Sequence, residues 1–178
     1  MDNILRMSTT GRHNKITSSL FGNIFDFVRN NEIYALQEQC SLVYRGQKND
    51  PKSLSLVKTE DIEDMEEFKE FVIYELDYVQ PDFFLFKDNE FLTDSRDVRT
   101  AGQPDLIVEV WSKSNTKSDR EFLQALYSKS DITEFWQIDQ NSNKVKCSIG
   151  SAKLPEQSLL NILKTQKGLE FDLRYLAV

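Results

Sequence analysis

Asp105-Leu106-Ile107-Val108-Glu109-Val110-Trp111 is the stretch that decides the fold. Apolar side chains fall on both alternations of an extended chain, which predicts a central strand covered on both faces. Such a strand belongs to an α/β architecture with a layer packed on each side of a sheet. Glu109 interrupts the apolar run between Val108 and Val110. A carboxylate in a covered strand is costly unless it is paired or binds a cation. Glu109 is therefore either an acid at the sheet end that salt-bridges a lysine or one half of a functional pair.

The elements outward from this strand follow from periodicity. A turn over Ser112 to Lys117 leads to a helix with Phe122, Leu123, Leu126 and Tyr127 as its buried stripe, and Ser118-Asp119-Arg120-Glu121 reads as its capping box. Glu134 to Asp139 and Lys144 to Ile149 flank the turn Asn141-Ser142-Asn143 as a hairpin. Upstream, Ile16, Leu20, Ile24, Phe27 and Val28 predict a helix over 13–29. Residues 33–45 read as a strand or hairpin, 46–56 as a turn-rich loop, 60–70 as an acidic helix, 71–86 as extended chain interrupted by Pro81, and 87–103 as loop. Downstream, 156–164 read as a short helix and 169–175 as a last strand. The expected whole is one α/β domain over 1–178 with a mixed sheet.

The chain has 178 residues, 39% hydrophobic and 29% charged, which excludes collagen-like and disordered classes. No run of apolar residues is long enough to span a bilayer. The first residues lack the apolar stretch of a secretory signal. Cys40 and Cys147 form no metal-ligand spacing, and His13 is the only histidine, so a structural zinc site is not expected. The expected compartment is a reducing cytoplasm. The net charge of −7 is local: nine acids and two lysines between residues 58 and 77 account for all of it. Between Trp111 and Lys129 the sign reverses, with Lys113, Lys117, Arg120 and Lys129 against Asp119 and Glu121. That weak basic patch suits modest, salt-sensitive phosphate contact.

A partner acid for Glu109 must come from across the sheet. Asp105 lies four residues earlier on the same strand, about 13 Å away, too far to share one ion. Adjacent strands lie about 4.8 Å apart, and Asp82, at the head of the preceding extended segment, fits. Two carboxylates on neighbouring strands would hold a hard cation such as magnesium, with the Val110 carbonyl as a third oxygen. Asp105 then reads as structural.

The stretches Gln80-Pro81-Asp82-Phe83-Phe84-Leu85, Gly102-Gln103-Pro104-Asp105 continuing through Glu109 to Asn115, then Asp119, Tyr127 and Glu134-Phe135-Trp136-Gln137-Ile138-Asp139, resemble the Uma-type family of bacterial endonucleases, within the PD-(D/E)XK restriction-endonuclease-like superfamily. The helix opening His13-Asn14-Lys15-Ile16 resembles that family's first helix, and the acidic segment, at about 46–70 and most charged over 58–77, looks like an insertion. The resemblance implies a restriction-endonuclease-like mixed sheet flanked by helices, with an added hairpin. It implies hydrolysis of DNA phosphodiester bonds with magnesium or manganese, with Asp82 as the motif aspartate and Glu109 as the motif glutamate. Nucleases of that superfamily often work as homodimers, because cutting two strands takes two sites.

One position departs from the pattern. The superfamily's lysine, two residues after the glutamate, is replaced by Trp111. Uma-type members carry it four residues after the aspartate that matches Asp119, and that position is Leu123. Lys113 and Lys117 are the nearest candidates for the missing cation, while Gln124 points off the same helix at another angle. His13 could contact a phosphate or simply pack and cap a helix start. Glu38 could be a third acid or an exposed strand residue. Ser112 and Ser114 could bond a phosphate or cap the next helix. Tyr127 and Trp136 read as core. Two further readings stand beside the nuclease: a catalytically degenerate relative that binds nucleic acid or a protein partner, and an acidic module that docks a basic partner through 58–77.

Overall fold

The computed structural model describes residues 11–30, 33–37, 40–66, 68–69, 76–87, 91–94, 99–112 and 114–176. The helix α1 (Gly11–Asn30) forms because Ile16, Leu20 and Ile24 recur every fourth residue and bury together. Next come β1 (Tyr34–Gln37), β2 (Ser41–Arg45), β3 (Ser55–Leu56), a 3-10 turn at Thr59–Asp61, β4 (Asp77–Val79), β5 (Phe83–Phe86), β6 (Phe91–Asp94), β7 (Arg99–Gly102) and β8 (Leu106–Trp111). The helix α2 (Lys117–Tyr127) precedes β9 (Glu134–Asp139), β10 (Lys144–Ile149), β11 (Ala152–Lys153), β12 (Gln157–Ser158), β13 (Ile162–Lys164) and β14 (Glu170–Asp172).

The main sheet runs β1-β5-β8-β9-β10-β11. It is mixed: β5 and β8 are antiparallel, β8 and β9 parallel, and β9 and β10 form the expected hairpin. The parallel step requires a crossover, and α2 supplies it. Every residue of β8 is buried. Leu106, Val108 and Val110 face a core built with α1 and the β13–β14 pair. Ile107 and Trp111 face a second core built with α2 and the second sheet. That second sheet runs β3-β2-β7-β6, with β4 also on β2.

Several elements differ from expectation. Residues 33–45 are not a hairpin: β1 pairs with β5 in the main sheet, whereas β2 pairs with β3, β4 and β7 in the other. Residues 87–103 are not all loop, because β6 and β7 form an antiparallel pair in which Thr93 faces Thr100. Alternation there is hidden because β6 places Phe91 beside Leu92 before Thr93 and Asp94 and β7 is Arg99-Thr100-Ala101-Gly102, while a hydrogen bond from Gly102 N to Val57 O ties the end of β7 to the chain after β3. Residues 156–164 are not a helix. The side chain of Gln157 accepts from Lys164 N and donates to Lys164 O, so a side-chain clasp closes a turn between β12 and β13. Leu159 and Leu163 bury four residues apart without a helix between them.

The helix cap also moves. Thr116, not Ser118, caps α2: its hydroxyl accepts from Asp119 N, and the Asp119 carboxylate accepts from Thr116 N. Asp119 is short enough to close the box that the sequence assigns to Glu121. In the acidic segment, residues 65, 66, 68 and 69 are helical, and Phe68 is anchored in a third cluster with Val43, Val57, Ile62 and Ala101. Glu38, Phe71, Ile73 and Lys113 lie outside the described residues.

Candidate active site

Asp82 ends the turn after Pro81 and stands immediately before β5. The antiparallel register pairs Phe83 with Val108 and so carries Asp82 to the level of Glu109. Contact follows: Val110 N donates to Asp82 Oδ2 at 2.7 Å. The other oxygen, Asp82 Oδ1, lies 2.8 Å from Nε2 of His13, in the first turn of α1. This is an ion pair whenever the imidazole is protonated. His13 is only 3% exposed, so it faces the acid and not solvent. Asp82 thus joins α1 to β8 through one carboxylate.

Glu109 is fully buried. It shares the α2-facing side of β8 with Ile107 and Trp111. Tyr127 OH donates to Glu109 Oε1 at 3.0 Å. The second oxygen, Oε2, is buried with no hydrogen-bond partner among the described residues. Burial, and then the Asp82 carboxylate nearby, push the Glu109 carboxyl well above its ordinary 4.5, against a smaller opposing pull from the Tyr127 hydroxyl. Burial likewise drives the Tyr127 phenol up, with Glu109 adding to it.

The face of α2 turned to the sheet repeats every three or four residues. Arg120 Nη2 donates to Ser112 O at 3.0 Å, Gln124 bonds Gln137, and Tyr127 reaches Glu109. The parallel register sets Gln137 beside Glu109. These polar groups run along β8 from its end toward its middle, interleaved with the buried Leu123.

A model of the Uma2 family, described as putative restriction endonuclease, matches residues 68–170, more than half of the chain. The chain belongs to the Uma2 family. No curated protein matches it. A solved structure of a putative nuclease belonging to DUF820 from Anabaena variabilis ATCC 29413 is similar, with a TM-score of 0.61 and 14% identity over 98% of this chain and 87% of that chain. At that identity the likeness speaks for the fold, and it agrees with the restriction-endonuclease-like core. The Uma2 match contains Asp82, Glu109, Arg120 and Tyr127, while His13 lies before it.

The remaining candidates of this Uma2 member fall as follows. Asp105 accepts from Lys87 N at 2.6 Å and pairs with Lys167, a structural role at the far end of β8. The Ser112 hydroxyl donates to Asn115 Oδ1 at 3.0 Å and shares a hydrogen bond with the Ser114 hydroxyl. These contacts shape the turn, and the helix cap is Thr116. Lys117 is 90% exposed on its side chain and lies 3.5 Å from Glu121. Trp136 is buried core, as expected. Tyr127 is both core and a direct partner of Glu109. Its signal in the sequence is the i, i+4, i+7 series Arg120, Gln124, Tyr127, which sets three polar groups on a face otherwise apolar.

Proposed function

We propose that the protein is a metal-dependent endonuclease that hydrolyses DNA phosphodiester bonds at Asp82 and Glu109. The observation that carries this reading is Glu109 Oε2, a buried carboxylate oxygen without a hydrogen-bond partner among the described residues and near a second carboxylate. An orphaned oxygen there costs free energy unless a cation takes it. Among the described residues no group of three His, Cys, Asp or Glu side chains is placed to hold a metal ion. The donor set is two carboxylates and the backbone at Val110, which suits a magnesium-type ion that keeps most of its waters and meets the substrate phosphate.

Asp82 and Glu109 would hold such an ion, and the Val110 carbonyl would face it. The Val110 amide already points at Asp82, and in an extended residue amide and carbonyl share an edge. When bound, the ion supplies a Lewis acid for the phosphate and a lowered pKa for a water. The chain's own work is orientation. His13 and the Val110 amide fix Asp82, and Tyr127 holds one oxygen of Glu109 while the other has no hydrogen-bond partner among the described residues. DNA as substrate is supported by the family description and by the local basic turn after β8.

The test is isothermal titration with magnesium and manganese, paired with plasmid nicking. Wild type is expected to bind one of the ions and nick; Asp82→Ala and Glu109→Ala are expected to do neither. Wild type that takes up no ion and leaves every DNA intact would remove the proposal. The buried Leu123, in the position where Uma-type members carry lysine, supports the second reading, a nuclease fold that binds nucleic acid without cutting it. Ion binding with no nicking would favour that reading.

A further inference from the structure

Positions 111 and 123, the two places for the missing lysine, hold Trp111 and Leu123, and both are buried. A fixed positive charge nevertheless stands at the same end of β8. The Arg120 guanidinium carbon lies 5.3 Å from the centroid of the Trp111 ring. Its Nη2 is anchored by the Ser112 carbonyl. Trp111 shares a strand face with Glu109 two residues away, about 7 Å along the chain. The stack therefore carries a cation to the side chain that replaces the superfamily lysine.

Among the described residues this guanidinium meets no acid. Its contacts among those residues are a neutral carbonyl and an indole face, and its buried Nε has no hydrogen-bond partner there. The adjacent acids are engaged elsewhere: Asp119 with Thr116 and Lys48, Glu121 with Lys117. Arg120 is half-buried, so its charge is only partly hydrated. A half-buried guanidinium without a carboxylate is costly, and its planar fork of donors matches a phosphate in two bonds at once. Among the described residues, Lys48 and Lys117 near this helix start are paired, with Asp119 and Glu121 respectively.

We infer that Arg120 is the phosphate-contacting cation of the site, taking a phosphate of bound DNA at the end of β8 where the lysine is missing. This rests on the nuclease-fold reading above and adds to it the residue that holds the backbone. Stacking on Trp111 and the Ser112 bond hold the fork in one orientation before DNA arrives, which limits the entropy lost on binding.

The experiment measures duplex binding in calcium across a salt series, so that affinity is read without turnover. Removing one phosphate-neutralising charge makes the plot of log affinity against log salt shallower by about 1. Arg120→Gln is expected to show that change, with about tenfold weaker binding near 0.1 M salt. Arg120→Lys keeps the charge and is expected to keep the slope, losing a few-fold for the lost fork. Lys153→Gln, on the exposed β11, is the control and should match wild type. A role confined to packing would lower the melting temperature and leave the slope alone. The wild-type protein gives a second readout, modification of Arg120 by phenylglyoxal followed by peptide mass analysis, with protection by duplex expected. A folded Arg120→Gln variant with the wild-type slope, or equal modification with and without duplex, overturns the inference. Wild type that binds no duplex at all strikes the DNA reading itself.

Discussion

Tyr127, on the last turn of α2, donates its hydroxyl to Glu109 Oε1 at 3.0 Å, inside a core closed to solvent on both sides. The contact ties the crossover helix to the central strand. It also decides which oxygen of Glu109 is left over. A glutamate in a strand has three rotatable bonds, and one hydrogen bond to a rigid phenol fixes the plane of its carboxylate.

Tyr127→Phe keeps the ring and removes the donor. Groups that orient metal ligands typically change metal affinity by about 10–100-fold, and the lost bond leaves both Glu109 oxygens unpartnered at a cost of about 1–3 kcal/mol. Titration calorimetry with manganese should show affinity at least tenfold weaker, and a denaturant melt should show the stability loss. Equal affinity in a folded variant would show that Glu109 is positioned by packing alone.

The ion-free protein should lose stability as pH rises. Burial, then Asp82, raise the Glu109 carboxyl in the folded state above the 4.5 of an exposed glutamate. The folded state therefore holds its proton longer than the unfolded state does. The stabilising contribution is fully present below about 4.5 and is lost as pH climbs through the raised folded value. Thermal melts in chelator should fall over that window, and Glu109→Gln, which stays neutral, should flatten the fall. A flat wild-type profile would mean that Glu109 is ionised and compensated throughout.

Leu123→Lys tests the missing group. Residue 123 lies one turn before Tyr127 on the same face of α2, so an amine there is carried toward Glu109. Leu123 is 3% exposed in an apolar cluster, so the lysine should lower stability by about 1–3 kcal/mol. With magnesium, nicking should appear or rise. A variant that folds, binds the ion and stays inert would show that more than one group is missing.

Thr116→Ala should destabilise by about 1 kcal/mol, whereas Ser118→Ala should change little, because only Thr116 accepts from the helix's third amide. Chemical denaturation of the two variants separates them. The reverse ranking would put the cap where the sequence alone puts it.

The central strand, the helix after it, the β9–β10 hairpin and α1 were legible because each buries a regular apolar pattern in a long enough run. β6, β7 and β12 were not. β7 and β12 are short runs of mostly small or polar side chains, β6 follows Phe91 and Leu92 with Thr93 and Asp94 and so shows no alternation, and β7 also pairs with β2, far away in the chain. Asp82 and Glu109 could be matched as neighbours because strand spacing limits which acids can meet. Tyr127 could not be assigned to Glu109 in the same way, since an aromatic in a helix stripe has the same pattern whether or not its hydroxyl finds a buried acid.

By itself the amino-acid order determined where a covered strand must lie and that an acid interrupts it, because burial periodicity and the cost of a buried charge are local facts. Which oxygen of that acid the Tyr127 hydroxyl holds, and where the Arg120 guanidinium stands over Trp111, depended on the register of β5 on β8 and the rotation of α2 over the sheet. Those are set by packing among segments distant in sequence, where a shift of one residue would turn every one of these side chains to another face.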